Sequence, residues 1–214
     1  FKNLYKKRKF SGKLIPVLYN KYKKIKSKIR NKYLRSSAND LNMSFVYTLS
    51  RILRISNKSF VKSMNSFVGL SHRYEIFMER KGITFINDSK ATSFQASKFA
   101  LLSSENIFWI LGGIPKLKDK IILRNLKSKI IKTYIIGKNV NFFKKQLINN
   151  VEFVVTKSLK KAIILAIKDV KKQKRINNTI LLSPGAASFD QFKNFENRGN
   201  EFKKLSKKYA KKFI

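Results

Sequence analysis

Three clusters of polar residues and glycines each follow a short apolar run, and their residue types could hold an anionic substrate. Their sequences are DSKAT (residues 88–92), GGIPK (residues 112–116) and SPGAAS (residues 183–188). Lysine ammonium groups and hydroxyls bind carboxylates and phosphates, and so do the N-termini of helices that follow such turns. Taken singly, each cluster is better explained by a helix cap or an ordinary turn. Whether the clusters do chemistry therefore depends on whether the fold brings them together.

The pattern around the clusters predicts that they meet at one edge of a sheet. Five short apolar runs are predicted strands: residues 83–86, 107–111, 133–136, 153–155 and 180–182. Helical patterns lie between these runs, and an amphipathic helix is predicted to close the chain. Strands that alternate with helices predict a doubly wound α/β domain with a mostly parallel sheet over residues 72–214. Ligands bind beyond the carboxyl ends of the strands in such sheets, where all three clusters would lie.

The first 71 residues have a different pattern and are predicted to be a separate, helical region. Residues 1–35 hold 14 Lys and Arg and no Asp or Glu, and we expect this segment to be partly disordered or to need a partner region. Phe45, Leu49, Ile52 and Leu53 recur at helical spacing. A second helix is predicted around residues 59–67, and residues 69–73 are predicted to form the joint to the α/β domain.

Composition argues against several kinds of site. The chain has no cysteine and a single histidine, His72, which argues against disulfides, zinc sites and histidine-based catalytic triads. No apolar run approaches the roughly 20 residues of a membrane span, and the sequence shows no signal peptide. We therefore expect a cytoplasmic protein that does not contact membranes.

The formal net charge of +38 leaves two explanations open. A basic surface attracts nucleic acid, so a nucleic-acid-binding module is one alternative. The other is drift of replaceable surface positions toward the codons of an AT-rich genome, because Lys, Asn, Ile and Phe are all abundant and the lysines are scattered. No zinc finger, RNA-binding signature or basic zipper is present, which favours drift and no specific nucleic-acid partner.

Longer stretches of the chain resemble the Mur ligases. They are FVGLSHRYE (residues 67–75), FINDSKAT (residues 85–92) and LGG (residues 111–113) with Lys116. Within that family, LSPGAASFDQF (residues 182–192), NFE (residues 194–196) and RG (residues 198–199) resemble the members that add D-glutamate. The resemblance implies a Rossmann-like C-terminal domain over residues 72–214. It also implies that residues 1–71 are the helical end of a central ATP-binding domain.

The resemblance implies an ATP-dependent ligase that adds D-glutamate to UDP-N-acetylmuramoyl-L-alanine in peptidoglycan synthesis, and so acts in cell shape and division. ATP phosphorylates the carboxylate of the precursor, and the amine of D-glutamate attacks the resulting acyl phosphate. The protein must hold several anions together while it offsets their repulsion, and positioning and cationic stabilisation do this. ATP and Mg²⁺ are the implied cofactors, and the implied working form is a monomer.

The resemblance also implies an ATP-binding set of residues. Asn39 and Asn42 match two asparagines near the adenine. Arg73 matches the arginine that reaches the ATP phosphates, and Asp88 matches the acid that holds the ribose hydroxyls, a role suited to a carboxylate acceptor. Lys90 lies in the same loop as Asp88, and Arg73 and Lys90 are two candidate catalytic cations.

A second implied set binds the incoming D-glutamate. Its members are Thr92, Lys116, Ser188 and Phe195, which supply one cation, two hydroxyls and an aromatic wall. Lys116 is also the third candidate catalytic residue. The residue types suit a ligand with two carboxylates, because a charged donor and hydroxyl donors both bind such groups.

Some family features differ or are missing in this chain. Ala38, Ser93, Pro115 and Gly185 stand where the family commonly has other residues, and the phosphate-binding pattern G-x-x-x-x-G-K-[ST] does not occur. The metal-binding part of the central domain and the uridine-nucleotide domain are also missing, so no metal ligand is assigned. The chain begins at Phe1, and we expect a fragment that is inactive alone. Another ligase of the superfamily, such as a folylpolyglutamate synthase, and a degenerate remnant remain alternatives.

Overall fold

A computed structural model describes residues 12–35, 39–173 and 175–214 of the chain. It divides into two compact units, of which the first ends at Val68 and the second begins at Gly69. The start of the basic N-terminal segment, residues 1–11, lies outside the described residues. No helix in the described ranges is long and apolar enough to cross a membrane.

The first unit is helical in its described part. Its helices are α1 (Tyr19–Lys26), α2 (Lys32–Arg35), α3 (Asp40–Ile52) and α4 (Asn57–Ser66). Tyr22 of α1 is fully buried, and the ring of Tyr47 in α3 packs edge-on against Phe60 in α4 with 5.3 Å between centroids. A salt bridge of 2.5 Å between Lys26 and Asp40 also links α1 to α3. Residues 19–26 of the basic segment therefore pack against the rest of this unit.

The helix predicted from the spacing of apolar residues is present, but its apolar stripe is exposed. The stripe residues Phe45, Leu49, Ile52 and Leu53 are 50–62% exposed. The buried side of α3 instead carries Met43 and Tyr47 together with small hydroxyl residues. Periodicity predicts that a helix forms, but it does not say which side the unit buries, because serine and threonine can be buried when they bond to the helix backbone. Ser44 and Thr48 both donate to carbonyls one turn earlier.

The second unit is built on a six-stranded sheet. Its strands are β1 (Glu75–Arg80), β2 (Ile83–Asn87), β3 (Ile107–Gly112), β4 (Ile130–Ile136), β5 (Phe153–Lys157) and β6 (Asn178–Leu182). The spatial order is β1-β2-β6-β3-β4-β5. All neighbouring pairs are parallel except β1 with β2. This arrangement confirms the predicted doubly wound, mostly parallel fold, and each of the five predicted strands lies within an observed one.

Helices cover both faces of the sheet. On one face lie α7 (Leu159–Lys172) and α8 (Phe195–Phe213), and on the other lie α5 (Phe94–Leu102) and α6 (Val140–Leu147). Every residue of the central strand β3, IFWILG, is buried. A strand that is covered on both faces reads as a continuous apolar run, which explains why its sequence predicted it so clearly.

The strand order places three chain segments side by side. Strand β6 comes last in sequence but inserts between β2 and β3, and it is parallel to both. The carboxyl ends of β2, β6 and β3 are therefore adjacent at one edge of the sheet. A loop leaves each of these ends, and the loops are named here in chain order. The first loop (residues 88–93) follows β2, the second loop (residues 113–119) follows β3, and the third loop (residues 183–190) follows β6.

Candidate functional site

Backbone hydrogen bonds tie the three loops to one another. The N–H of Asp88 donates to the carbonyl of Leu182 at 2.7 Å, and the N–H of Gly112 donates to that of Pro184 at 2.9 Å. Ile114 and Ala187 exchange a pair of bonds at 2.8 and 2.9 Å. The third loop is thus bonded to the second loop and the end of β3, and the last residue of β6, which leads into it, is bonded to the first loop. The three clusters that the sequence analysis singled out lie at one edge of the sheet.

The glycine pair at the end of β3 permits this close approach. Gly112 and Gly113 have φ angles of +134° and +133°, which other residues rarely adopt. A Cβ atom on Gly112 would lie 2.1 Å from the carbonyl oxygen of Ile136, and one on Gly113 would lie 2.2 Å from that of Ala187. Both distances are far below van der Waals contact, so the two glycines are required by the packing of the loops.

Asp88, the first residue of the first loop, is buried against the start of the third loop. Its Oδ2 accepts the hydroxyl of Ser183 at 2.7 Å, and its Oδ1 accepts the N–H of Tyr74 at 3.1 Å. Burial raises the pKa of Asp88 to about 6, although both hydrogen bonds act in the opposite direction. The carboxylate, predicted to hold ribose hydroxyls, therefore also braces the ends of β2 and β6. A carboxylate has about four acceptor positions, so two bonds to protein leave it able to accept a ligand hydroxyl.

Lys90 and Phe195 form the cationic and aromatic part of the site. The ammonium of Lys90 lies 3.7 Å from the centre of the Phe195 ring. The backbone of Lys90 is fixed as well, because its N–H donates to the carbonyl of His72 at 3.0 Å. Phe195 is the first residue of α8, which Asn194 caps by accepting the N–H of Asn197 at 2.8 Å.

His72 is buried next to Phe195 and contacts the end of β2. Its ring packs edge-on against Phe195 with 6.0 Å between centroids, and its Nδ1 lies 2.9 Å from the amide nitrogen of Asn87. Burial, and then the charge of Lys203, lowers the pKa of His72, so the neutral ring accepts that amide. A Cβ atom on Gly199 would lie 2.2 Å from Nδ1 of His72, so the histidine packs directly on α8. The histidine therefore packs between α8 and Asn87, against the residue that is predicted to be the aromatic wall.

The remaining residues predicted to bind D-glutamate lie on the same edge. Thr92 is half-buried and precedes Ser93, which caps α5 by accepting the N–H of Ala96 at 3.3 Å. Lys116 is exposed on the second loop. That loop is tied to the start of α5, because Asp119 accepts the N–H of Phe94 at 2.9 Å. The segments that carry Thr92 and Lys116 are therefore neighbours.

Ser188, in the third loop, completes this set. It is almost fully buried, and its carbonyl accepts the N–H groups of Gln191 and Phe192 at 3.1 and 2.9 Å. These two bonds make a turn between β6 and α8. The fold therefore brings together the four segments that hold Thr92, Lys116, Ser188 and Phe195, and the roles of these residues stay predictions.

The residues predicted to contact ATP are divided between the two units. Arg73 is exposed in the second unit, in a turn closed by its N–H bond to the carbonyl of Leu70 at 3.2 Å. Asn39 and Asn42 lie at the start of α3 in the first unit, where the amide of Asn42 donates to Oδ1 of Asn39 at 3.4 Å. Within the described ranges, no group of three or more Asp, Glu, His or Cys side chains could hold a metal ion.

Sequence reasoning assigned no role to one buried residue of the site, Arg198. Its guanidinium donates to four oxygens: Oγ of Ser89 at 3.0 Å, the carbonyl of Ser89 at 2.9 Å, that of Ala186 at 3.0 Å and that of Gly112 at 3.5 Å. Burial lowers the pKa of Arg198 to about 10, so the group is still charged at neutral pH. A signal was present in the sequence. Arg198 lies four residues before Phe202 and eleven before Tyr209, on the buried stripe of α8.

Comparison with curated proteins finds relatives that are named as D-glutamate ligases. No family model matches the chain. The UDP-N-acetylmuramoylalanine–D-glutamate ligase of Rickettsia felis is 37% identical over 180 residues, which are 84% of this chain and 40% of the relative. The enzyme of the same name from the Wolbachia of Brugia malayi is 34% identical over 222 residues, covering 96% of this chain and 44% of the relative. The one from Agrobacterium fabrum is 38% identical over 169 residues, covering 79% and 36%.

The chain thus spans about 40% of the length of the curated relatives that it matches. A crystal structure of MurF ligase from Thermotoga maritima in complex with ADP aligns with 82% of this chain and 39% of that protein, with a TM-score of 0.51 and 15% identity. At that identity the likeness concerns the fold alone.

Proposed function

The chain belongs to the Mur ligase family, and from this premise we propose that it forms the part of a ligase that binds D-glutamate. The ligase joins D-glutamate to UDP-N-acetylmuramoyl-L-alanine and consumes ATP. The names of its relatives, which are 34–38% identical, support the choice of D-glutamate. We propose further that the ligase acts in the cytoplasm as a monomer. The first unit would be the end of a central ATP-binding domain, and residues 72–214 would be the C-terminal domain.

One observation carries the proposal for D-glutamate. The four segments that hold Thr92, Lys116, Ser188 and Phe195 meet at the carboxyl edge of the sheet, where parallel α/β sheets bind ligands. These residues are far apart in sequence, and the insertion of β6 between β2 and β3 is what makes their segments adjacent.

In the proposed mechanism, the side chains bind the carboxylates of D-glutamate and leave its amine free to attack. Lys116 supplies a charge-assisted bond to one carboxylate, and the hydroxyls of Thr92 and Ser188 supply weaker bonds. Phe195 limits the pocket and holds Lys90 at 3.7 Å. Lys90 then offsets the negative charge that develops when the amine attacks the carbonyl carbon of the acyl phosphate. The C–O bond to phosphate then breaks, inorganic phosphate leaves, and the nitrogen loses a proton to give the amide. Positioning the amine next to its target supplies the rest of the rate enhancement.

On the ATP side, the proposed roles are those that the family resemblance implies for each residue. Arg73 would neutralise phosphate oxygens, Asp88 would accept ribose hydroxyls with its free lone pairs, and Asn39 and Asn42 would lie near the adenine. Mg²⁺ would supply charge neutralisation at the phosphates when ATP is bound. The Mg²⁺ ligands are expected in the part of the central domain that lies outside the region matched by this chain.

The test uses a protein that we name the assembled ligase. It is one polypeptide in which this chain follows the residues that precede the matched region in the Rickettsia felis relative. The intact relative is the positive control. We expect the assembled ligase to release ADP and form the amide product only when D-glutamate and UDP-N-acetylmuramoyl-L-alanine are both present.

Comparable turnover with L-lysine or meso-diaminopimelate in place of D-glutamate would contradict the assignment. So would an inactive assembled ligase beside an active relative. The 214-residue chain alone is expected to be inactive, because it lacks a phosphate-binding loop, and steady ADP release by it would show that this part of the proposal is wrong.

A further inference from the structure

One buried side chain bonds to two loops of the proposed pocket and to the strand end from which the other loop leaves. The oxygens bonded to Arg198 belong to the first loop, the third loop and the end of β3, from which the second loop leaves. Each contact lies two to four residues from a residue predicted to bind D-glutamate: Ser89 precedes Thr92 by three, Gly112 precedes Lys116 by four, Ala186 precedes Ser188 by two, and Arg198 follows Phe195 by three.

The link to Phe195 is reinforced by Ser89. The hydroxyl of Ser89 accepts a bond from Nε of Arg198 at 3.0 Å and donates one to the carbonyl of Phe195 at 2.8 Å. Ser89 is also the residue directly before Lys90. The guanidinium, the hydroxyl and the start of α8 therefore form one connected set that fixes where Lys90 and Phe195 meet.

Stability alone does not account for a charged group at this position. Arg198 is 1% exposed, and no salt bridge to it occurs among the described residues. Its bonded partners are a hydroxyl and three carbonyls, which are neutral, and the charge of Asp190 acts on it without a direct salt bridge. A buried cation with no directly bonded carboxylate is costly, and apolar residues of similar volume often stabilise a protein as well or better. What a guanidinium provides, and an apolar side chain does not, is a planar set of donors that fixes several acceptors at once.

We infer that Arg198 is a positioning residue that holds the three loops of the proposed D-glutamate pocket in one arrangement. It does not touch the reacting atoms, because it is buried beneath the loops. Its importance for D-glutamate rests on the proposed function. The bonding of Arg198 to the loop segments, here called the clamp, does not depend on the proposed function. The clamp and the effect on D-glutamate binding are therefore tested by separate measurements.

The clamp is tested by hydrogen exchange in the 214-residue chain. Arg198→Lys keeps the charge but loses the planar set of donors, Ser89→Ala removes one acceptor, and Arg124→Ala at an exposed arginine is the matched control. We expect amides of residues 88–93, 113–119 and 184–190 to exchange about tenfold faster in Arg198→Lys, because a lost bond to a charged group allows local opening. Amides of β3 and β6 should keep their protection.

Two further outcomes decide the inference. In Arg198→Ala, added guanidinium should restore protection in the three loops, which a purely packing role would not produce. If Arg198→Lys leaves the loops unchanged, or if all amides of the second unit exchange faster to the same extent, the inference is wrong. Ser89→Ala should loosen residues 88–93 and the start of α8 only, and it gives a result even if Arg198→Ala does not fold.

The consequence for the ligase is measured in the assembled ligase. Arg198→Lys should raise the KM for D-glutamate about tenfold or more, and guanidinium should lower the KM of Arg198→Ala toward that of the unchanged protein. An unaltered KM in a variant whose loops have loosened would overturn the inferred role in D-glutamate binding. An inactive unsubstituted ligase would instead contradict the proposed function, while the exchange experiment would still decide the clamp.

Discussion

The ammonium of Lys90 lies 3.7 Å from the centre of the Phe195 ring, in a contact that joins the end of β2 to the start of α8. A cation over an aromatic face contributes roughly 0.5–2 kcal/mol, depending on how much water is excluded. For a flexible lysine this contact selects one of many side-chain orientations. The aromatic residue that bounds the proposed pocket therefore also positions one of its cations.

The first prediction concerns Phe195→Leu, which keeps an apolar side chain but removes the aromatic face. In the assembled ligase we expect kcat/KM for D-glutamate to fall about two- to thirtyfold, as the loss of roughly 0.5–2 kcal/mol implies. Phe213→Leu is the control, because Phe213 is also close to lysine ammonium groups, those of Lys168 and Lys212, but lies at the far end of α8. Equal kcat/KM values for the two variants would show that the contact does not assist the reaction.

The second prediction concerns the buried carboxylate of Asp88. Its pKa in the folded chain is raised to about 6 from an ordinary value of 3.8. The folded state therefore binds the proton more tightly than the unfolded state. This stabilisation is present below about pH 4 and is lost as the pH rises through 6, which amounts to about 3 kcal/mol in total.

Asp88→Asn removes this pH dependence while it keeps the size of the side chain. Its amide can still accept from Tyr74 and donate to Ser183. Relative to the unchanged chain, the variant should gain about 3 kcal/mol in unfolding free energy between pH 4 and pH 8. The measurement is urea unfolding followed by the fluorescence of Trp109, the only tryptophan, which is fully buried. A stability difference that does not change with pH would show that Asp88 titrates normally.

The sequence predicted five of the six strands of the sheet and missed β1, at one of its two edges. Strands β3 and β6 are buried along their whole length, and β3 (IFWILG) and the last three residues of β6 (NTILL) are apolar runs. Strand β1, with the sequence EIFMER, is partly exposed and carries charges at both ends, so no apolar run marked it. Its carboxylate at Glu75 is bound to His72 and Lys203, contacts that only the fold reveals.

The site was predicted in its segments but not in its internal bonds. Residue types and resemblance indicated Asp88, Lys116 and Ser188, and strand order explains why their loops meet. The spacing of Arg198 from Phe202 and Tyr209 places it on the buried stripe of α8, but a hydrophobic pattern does not show which groups a buried charge contacts. For the same reason, the sequence could not show that Asp88 is already bonded to Ser183 and Tyr74.

The third prediction concerns the glycine at the start of the second loop. Gly113→Ala places a Cβ atom 2.2 Å from the carbonyl oxygen of Ala187 and forces a residue with a side chain to a φ of +133°. We expect a loss of more than about 2 kcal/mol in unfolding free energy, measured by urea unfolding. The control is Gly12→Ala, where no atom lies within 4 Å of the added Cβ, and a change within about 0.5 kcal/mol is expected. Similar losses in both variants would mean that the loops do not require this close approach.

The fourth prediction concerns Lys116, which we propose binds a carboxylate of D-glutamate. It is exposed on the second loop, which Asp119 ties to the start of α5, close in sequence to Thr92. A charge-assisted bond to a carboxylate is worth roughly 1.5–3 kcal/mol, or about one to two decades in affinity. In the assembled ligase, Lys116→Ala should therefore raise the KM for D-glutamate about ten- to a hundredfold, and that for ATP far less.

The same loop supplies the controls for this measurement. Lys118 and Lys120 are exposed like Lys116, and each alanine variant removes one charge of the same sign from the same surface. If the basic surface merely attracts anions, the three variants should weaken D-glutamate binding equally, and added salt should reduce the effect of each. A bond at one position predicts a large effect for Lys116→Ala alone that persists in salt. Three equal effects would show that Lys116 is part of the general basic background.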